Sequence, residues 1–163
     1  MRVLGIDPGT VLTGYGVVEE RGRGLQAQAW GAIRAASRYP LGERLQRLYA
    51  GVCEAVRTWQ PEVVVVERVF CAHNPQTALA LGHARGVVLL AVAQAALPLV
   101  EYSALEIKMA VVGYGRADKQ QVQRMVQALL RLDALPQPPD AADALAAAIC
   151  HLHTYRLRRQ ALP

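Results

Sequence analysis

A mixed α/β fold, a five-stranded sheet flanked by helices, is what this sequence predicts, and three observations carry the prediction. Segments with strand and helix character follow in the order three strands, helix, strand, helix, strand, then helices. The run Val63-Val64-Val65-Val66 is β-branched without alternation, as expected of a central strand covered on both faces. From Pro40 onward the apolar period changes from two to that of a helix.

Residues 2 to 7 form an apolar run ended by Asp-Pro-Gly, and strand character resumes at residues 15 to 20, after Gly14. Arg21-Gly22-Arg23-Gly24 reads as a turn. Leu25, Ala27 and Ala29 then alternate with Gln26 and Gln28, the two-residue period of a strand with one wet face. Three antiparallel strands joined by short turns are expected. Leu41, Leu45, Leu48, Val52, Val56 and Trp59 recur at helical spacing with charges on the other faces, so an amphipathic helix packs on the sheet until Pro61 stops it. Glu67 then lies at the carboxyl end of a central strand, where open α/β sheets place ligands.

Asn74-Pro75 supplies a helix cap and a first-turn proline, predicting a helix to about Leu97, on which Gly82 and Gly86 lie one turn apart and allow close packing with a neighbour. Leu99 to Tyr102 is a short strand, and Ser103 with Glu106 makes a capping box for a brief helix. Gly113-Tyr114-Gly115-Arg116 is a flexible basic loop, and Asp118 caps a helix carrying Val122, Met125, Val126 and Leu129. A proline-rich connection, Leu132 to Pro139, leads into a final helix from Asp140 to about Arg156. The first strand is expected beside the Glu67 strand, and Asp140 and Asp143, three apart, share one helix face.

At 163 residues, 53% hydrophobic and 19% charged, the chain suits one globular domain, 1–163, without repeats or linkers. Disorder is not expected from that balance. The formal net charge of +5 rests almost wholly on arginine, with lysine only at Lys108 and Lys119, and favours a polyanionic partner such as nucleic acid. Cys53, Cys71 and Cys150 form no Cys-x-x-Cys pair, so neither a disulfide framework nor a zinc site is suggested. No signal-peptide pattern is visible at the N-terminus. The apolar stretch Gly86 to Val100 is short and interrupted by Gln94 and Pro98, which argues against a membrane span. A cytoplasmic location is expected.

Four carboxylates stand out in this basic chain. Asp7 and Glu67 each end an apolar strand, and Asp140 and Asp143 open an alanine-rich helix. Each has an ordinary explanation: a turn residue at Asp7, an exposed strand end at Glu67, and a helix cap with a dipole partner at the pair. Taken together those explanations strain, because three of only five aspartates fall in these apolar settings. Clustered anions persist at neutral pH only with a cation or a shared proton. Oxygen-only ligands suit magnesium or manganese, and two such ions about 4 Å apart can activate a water and stabilise the leaving oxygen in phosphodiester cleavage. The pattern points to metal-dependent chemistry on a phosphate.

Beyond chemistry, the motifs resemble a known family. Gly5-Ile6-Asp7-Pro8-Gly9-Thr10 with Thr13-Gly14-Tyr15-Gly16, the valine strand into Glu67 with Val69-Phe70, and Asn74 before Leu81-Gly82-His83-Ala84-Arg85-Gly86 are similar to RuvC, the bacterial Holliday junction resolvases. So are Lys108, Val112-Gly113, Ala117-Asp118-Lys119, Gln121-Val122-Gln123, and Asp140 to Ala146 with His151 and His153. The resemblance spans nearly the whole chain, in order. It implies an RNase H-like fold, a homodimer, and a magnesium-dependent endonuclease that nicks two opposed strands of a four-way DNA junction and works with RuvA and RuvB. It also implies that Asp7, Glu67, Asp140 and Asp143 are metal-binding catalytic acids, that Phe70 stacks on DNA near the crossover, and that Lys108 and Lys119 lie close to the scissile strand. Asn74, Arg85 and Arg116 are read as further DNA-contacting positions, and the Gly82 and Gly86 helix as the candidate dimer surface. Arg68, the Cys71-Ala72-His73 stretch and Gln76-Thr77 depart from the family pattern, which bears on crossover recognition rather than on the acids. The four histidines are read as surface or packing residues.

Rival readings fare less well. Asp7 to Thr10 also fits the first phosphate loop of actin-like and sugar kinases, but those sandwich a nucleotide between two domains of this fold, and the length provides one. A catalytically silent module of the YqgF type predicts loss of an acid, and none is missing. A resolvase-like nuclease acting on another branched DNA remains compatible with these residues.

Overall fold

A computed structural model describes residues 1–22, 24–68 and 74–160 of the chain. Five strands form one sheet in the order β3-β2-β1-β4-β5: β1 (Arg2–Asp7), β2 (Leu12–Arg21), β3 (Gly24–Arg34), β4 (Val63–Arg68) and β5 (Leu99–Ser103). The first three pair antiparallel, whereas β1–β4 and β4–β5 pair parallel. The helices are α1 (Leu41–Trp59), α2 (Pro75–Gln94), α3 (Ala104–Val112), α4 (Lys119–Leu130) and α5 (Pro139–Gln160). This is the RNase H-like arrangement, with the mixed five-stranded sheet the sequence predicts.

Strands β2 and β3 and helix α5, which runs on to Gln160, are longer than their sequence pattern suggests, and α2 is shorter. β2 begins at Leu12 because Gly14 already pairs with Asp7, and β3 continues past Ala29 to Arg34 along β2. Helix α2 ends at Gln94 rather than near Leu97, since Ala96 takes a left-handed φ of 52° and Pro98 disfavours helix at the residue before it. The Ser103–Glu106 capping box forms as expected, and Asp118 with Gln121 forms a second one.

The strand period of two divides the core. Leu4, Ile6, Val64 and Val66 face α1 and α2, while Val3, Val63 and Val65 face α5, α3 and α4. This is why the valine run shows no alternation: both faces are covered, and Val63 to Val66 are at most 4% exposed.

Helix α5 lies directly on the sheet, buried from Ala141 to Leu152 apart from Asp143, and the glycines beneath it explain how. A Cβ at Gly5 would stand 1.9 Å from the Ala144 carbonyl oxygen, one at Gly14 would stand 2.1 Å from that of Asp140, and one at Gly16 would strike Leu145. The alanines above supply the matching flat surface. Glycines on two neighbouring strands thus permit backbone-to-backbone approach of a helix whose first turn carries two carboxylates.

Helix α2 has a different character. Ala84, Val88, Ala91 and Val92 bury one face against the sheet, yet Leu79, Leu89 and Leu90 are exposed. Its 18-residue apolar window has mean hydropathy 1.3 with only 22% buried, so by length and composition alone it is the one helix among the described residues long and apolar enough to cross a membrane.

Candidate active site

Strand geometry brings the first two acids together. The β1–β4 ladder runs from Val3 opposite Val63 to Ile6 opposite Val66, and the next residues along are Asp7 and Glu67. Val3 and Val65 lie under α5, so the period of two puts Asp7 and Glu67 on that same face at the carboxyl ends of adjacent parallel strands. Asp140 and Asp143 enter from above, on the first turns of α5, at the height fixed by Gly14 and Gly5.

The electrostatics register this convergence. Burial, followed by the Asp143, Asp140 and Glu67 carboxylates, pushes the Asp7 carboxyl up to about 7, with Lys119 opposing. Glu67 is also raised, by burial and then by Asp143, against the pull of Lys108 and Lys119. The Lys119 ammonium lies 2.7 Å from Asp143 Oδ2, and that hydrogen bond raises the lysine. The two lysines of the chain therefore both reach the acid cluster, one from α3 and one from the first turn of α4. A cavity of about 300 Å³ opens beside them, with Glu67, Asp143, Lys108 and Lys119 on its polar side and Ile107 and Val122 on its apolar side.

The donor set fits a hard divalent cation in its chemistry: four carboxylates, no thiolate or imidazole among them, and mutual repulsion that a cation would relieve. As they stand, no three His, Cys, Asp or Glu side chains among the described residues are drawn together tightly enough to hold a metal. The Lys119 ammonium on Asp143 supplies positive charge to the cluster in this arrangement.

The remaining positions singled out in the sequence are dispersed. Arg116 is exposed on the loop before α4, and Asn74 is exposed with its Oδ1 accepting the Gln76 N–H as the α2 cap. Arg85 has its guanidinium committed to protein groups: it donates to the Glu67 main-chain carbonyl at 3.1 Å and pairs with Glu101 on β5. Phe70 lies outside the described residues. His151 is buried, its Nδ1 3.0 Å from the Tyr102 hydroxyl, and the His153 ring is 2.9 Å from the Ala110 carbonyl, so both pack rather than join the acids.

Sequence reasoning did not identify Gly5, Gly14 and Gly16 as the seat of α5, nor the Arg85–Glu101 pair. The small residues at alternate positions of β1 and β2, set against the alanine run of α5, were the available signal for the first. Nothing in the one-dimensional pattern marks the second.

Comparison with known proteins bears on this site. A family model described as crossover junction endodeoxyribonuclease RuvC matches residues 3–151. The chain is 50% identical over 157 residues to the protein of that description from Desulfitobacterium hafniense, covering 96% of this chain and 95% of that one. It is 52% identical over 157 residues to that of Syntrophotalea carbinolica, covering 96% and 97%. Among solved structures, Thermus thermophilus RuvC in complex with a Holliday junction substrate superposes with a TM-score of 0.92 at 35% identity, covering 97% of this chain and 96% of that one.

Proposed function

The chain belongs to the RuvC family of crossover junction endodeoxyribonucleases, and from that premise we propose that it resolves four-way DNA junctions by paired symmetric nicks in homologous recombination and repair. The observation that carries the reading is the convergence of Asp7, Glu67, Asp140 and Asp143 at one end of the sheet. These four acids are the residues that hold divalent metal, magnesium or manganese, two ions per site in keeping with four negative charges. When bound, the metal supplies Lewis-acid activation of water and stabilisation of the leaving 3′ oxygen.

The protein groups do the rest. Lys108 and Lys119 flank the cavity where a scissile phosphate would enter, and their ammonium groups attract it and offset its charge. Were Asp143 to serve a metal, the Lys119 ammonium now paired with it would be available to the phosphate. Arg116 and Asn74 lie on exposed loops suited to backbone contacts, and Phe70 is assigned base stacking at the crossover, worth about 1–3 kcal/mol per base. The basic surface supplies salt-dependent affinity through counterion release.

A homodimer matches two identical sites to a two-fold junction. The exposed stripe of α2 supports it: Leu79, Gly82, Gly86 and Leu90 fall along one side of the helix, opposite Ala84 and Val88, and a Cβ at either glycine would meet nothing within 4 Å. A second copy covering that stripe would bury the leucines. Residues 1–163 act as one nuclease domain in the cytoplasm, with RuvA and RuvB as branch-migration partners.

The test is cleavage of a mobile synthetic junction, a linear duplex and a replication fork with magnesium or manganese. Paired nicks confined to the junction are expected. Equal cutting of all three substrates, or undiminished cutting by Asp7→Asn, refutes the resolvase assignment.

A further inference from the structure

Arg85 occupies a place that a phosphate contact would not require. Its side chain is 22% exposed, and from α2 it reaches across to the carboxyl end of β4 and the middle of β5. One guanidinium nitrogen, Nη1, donates to the main-chain carbonyl of Glu67 at 3.1 Å. The other, Nη2, pairs with Glu101 Oε1, while Arg68 Nε stands 3.9 Å from the second oxygen of the same carboxylate.

The position of that carbonyl gives the contact its meaning. On the β1 side the β4 ladder stops at Val66, one residue short of Glu67, and Pro8 has no N–H with which to prolong it. Glu67 is thus the point at which β4 leaves β1 while its carboxylate still has to face Asp7 and Asp143. A planar guanidinium can bond a carbonyl and a carboxylate at once from fixed donors, which an ammonium on a flexible stem does poorly. Glu101 fixes the direction of the fork and neutralises it, so the pair adds rigidity without adding net charge.

We propose that Arg85, oriented by Glu101, is a positioning residue that anchors the end of β4 and thereby aims the Glu67 carboxylate into the acid cluster. This rests on the assignment of Glu67 as a metal-holding acid. The side-chain pair supports a ligand from behind, and loss of such support typically costs 10–100-fold in metal affinity or activity.

Three measurements on the full chain test it: the magnesium concentration for half-maximal junction nicking, the rise in melting temperature caused by magnesium without DNA, and junction affinity in EDTA across a salt series. For Arg85→Gln and Glu101→Gln the half-saturating magnesium concentration is expected to rise about 10–100-fold and the magnesium-induced melting shift to shrink. Metal-free junction affinity should stay within about two-fold with the salt slope unchanged, because no phosphate contact is lost. Arg85→Lys should fall between, keeping one bond of the two. If Arg85→Gln does not fold, Glu101→Gln and Arg85→Lys carry the test.

The opposite pattern overturns the proposal. Were Arg85 a phosphate contact, Arg85→Gln would weaken metal-free binding and lower the salt slope by about 1, while Glu101→Gln would tighten binding by unmasking the charge, with magnesium dependence unmoved. Glu67→Gln run in parallel separates the layers. Normal nicking by that variant removes the Glu67 assignment and the positioning role with it. An inactive Glu67→Gln beside Arg85 and Glu101 variants of wild-type magnesium dependence removes the positioning role alone.

Discussion

Asp7→Asn should make the metal-free protein more stable while abolishing cleavage. The Asp7 carboxyl is raised from 3.8 to about 7 by burial and by the other three acids, so the folded chain binds a proton there more tightly than the unfolded chain does. Its contribution to stability is therefore fully present below about pH 3.8, is lost as pH rises toward 7, and stays lost above that. At 1.36 kcal/mol per pKa unit, the loss at pH 8 is on the order of 4 kcal/mol. A carboxamide of the same shape cannot ionise and escapes it. For a chain of this size each kcal/mol moves the melting temperature by about 2–4 °C, so Asp7→Asn should melt on the order of 10 °C above wild type in EDTA at pH 8. The gap should close as the pH falls toward 4. Magnesium should reverse the order, because a ligand that binds only the native wild-type site stabilises it by mass action. Melting curves by circular dichroism at pH 4.5, 6 and 8, with EDTA or magnesium, provide the assay. An Asp7→Asn protein that melts with or below wild type in EDTA at pH 8, or whose advantage persists undiminished at pH 4.5, refutes the reasoning.

Two further substitutions probe how the site is built and how it is paired. Gly14→Ala places a methyl group 2.1 Å from the Asp140 carbonyl oxygen, so α5 must lift at its first turn. Overpacking of this kind costs about 1–3 kcal/mol, and a displacement near 1 Å at a reacting group costs about 100-fold in rate, so nicking should fall far more than melting temperature does; an active Gly14→Ala enzyme would show that the close approach does not set the acids. Leu79→Glu combined with Leu90→Glu puts charge on the exposed stripe of α2 and should yield a folded monomer in sedimentation that no longer makes paired nicks. A variant that remains dimeric would move the interface elsewhere.

Much of this site was legible because its signals are local. Asp7 and Glu67 end strands whose apolar composition declares them central, and the expected place of β1 beside β4 is the one the parallel pairing takes. The shared face of Asp140 and Asp143 follows from their spacing. What the sequence could not display was the distance between those two halves. Gly14 and Gly16 read as punctuation around a strand, and their function appears only when the alanine-rich face of α5 is laid over them. The extent of β3 was equally hidden: Val17 pairs with Ala29 and Val18 with Ala27, so a bulge at Gln28 breaks the expected alternation and turns Ala29 to the α1 face, while Leu25 and Ala27 stay on the α5 face. Arg85 reads in the sequence as a DNA contact and Glu101 as one residue of a short strand, and their joint role depends on a carbonyl that no residue identity can mark.

The same three-dimensional closeness explains how a metal-free cluster of four acids is tolerated in a folded chain. Asp7 tends to hold its proton near neutrality, Lys119 sits on Asp143, and Lys108 lowers the cost of charge at Glu67. On the proposed metal-holding role, each device occupies a position needed otherwise: the proton would have to leave Asp7 and the ammonium Asp143 before both carboxylates could serve as ligands. Metal binding should therefore release protons, and its apparent affinity should rise with pH up to about 7, the value at which Asp7 gives up its proton without assistance. The stability recovered by Asp7→Asn and the affinity lost by it have one origin, the burial of Asp7 beneath α5 among three other carboxylates, which the glycines of β1 and β2 allow.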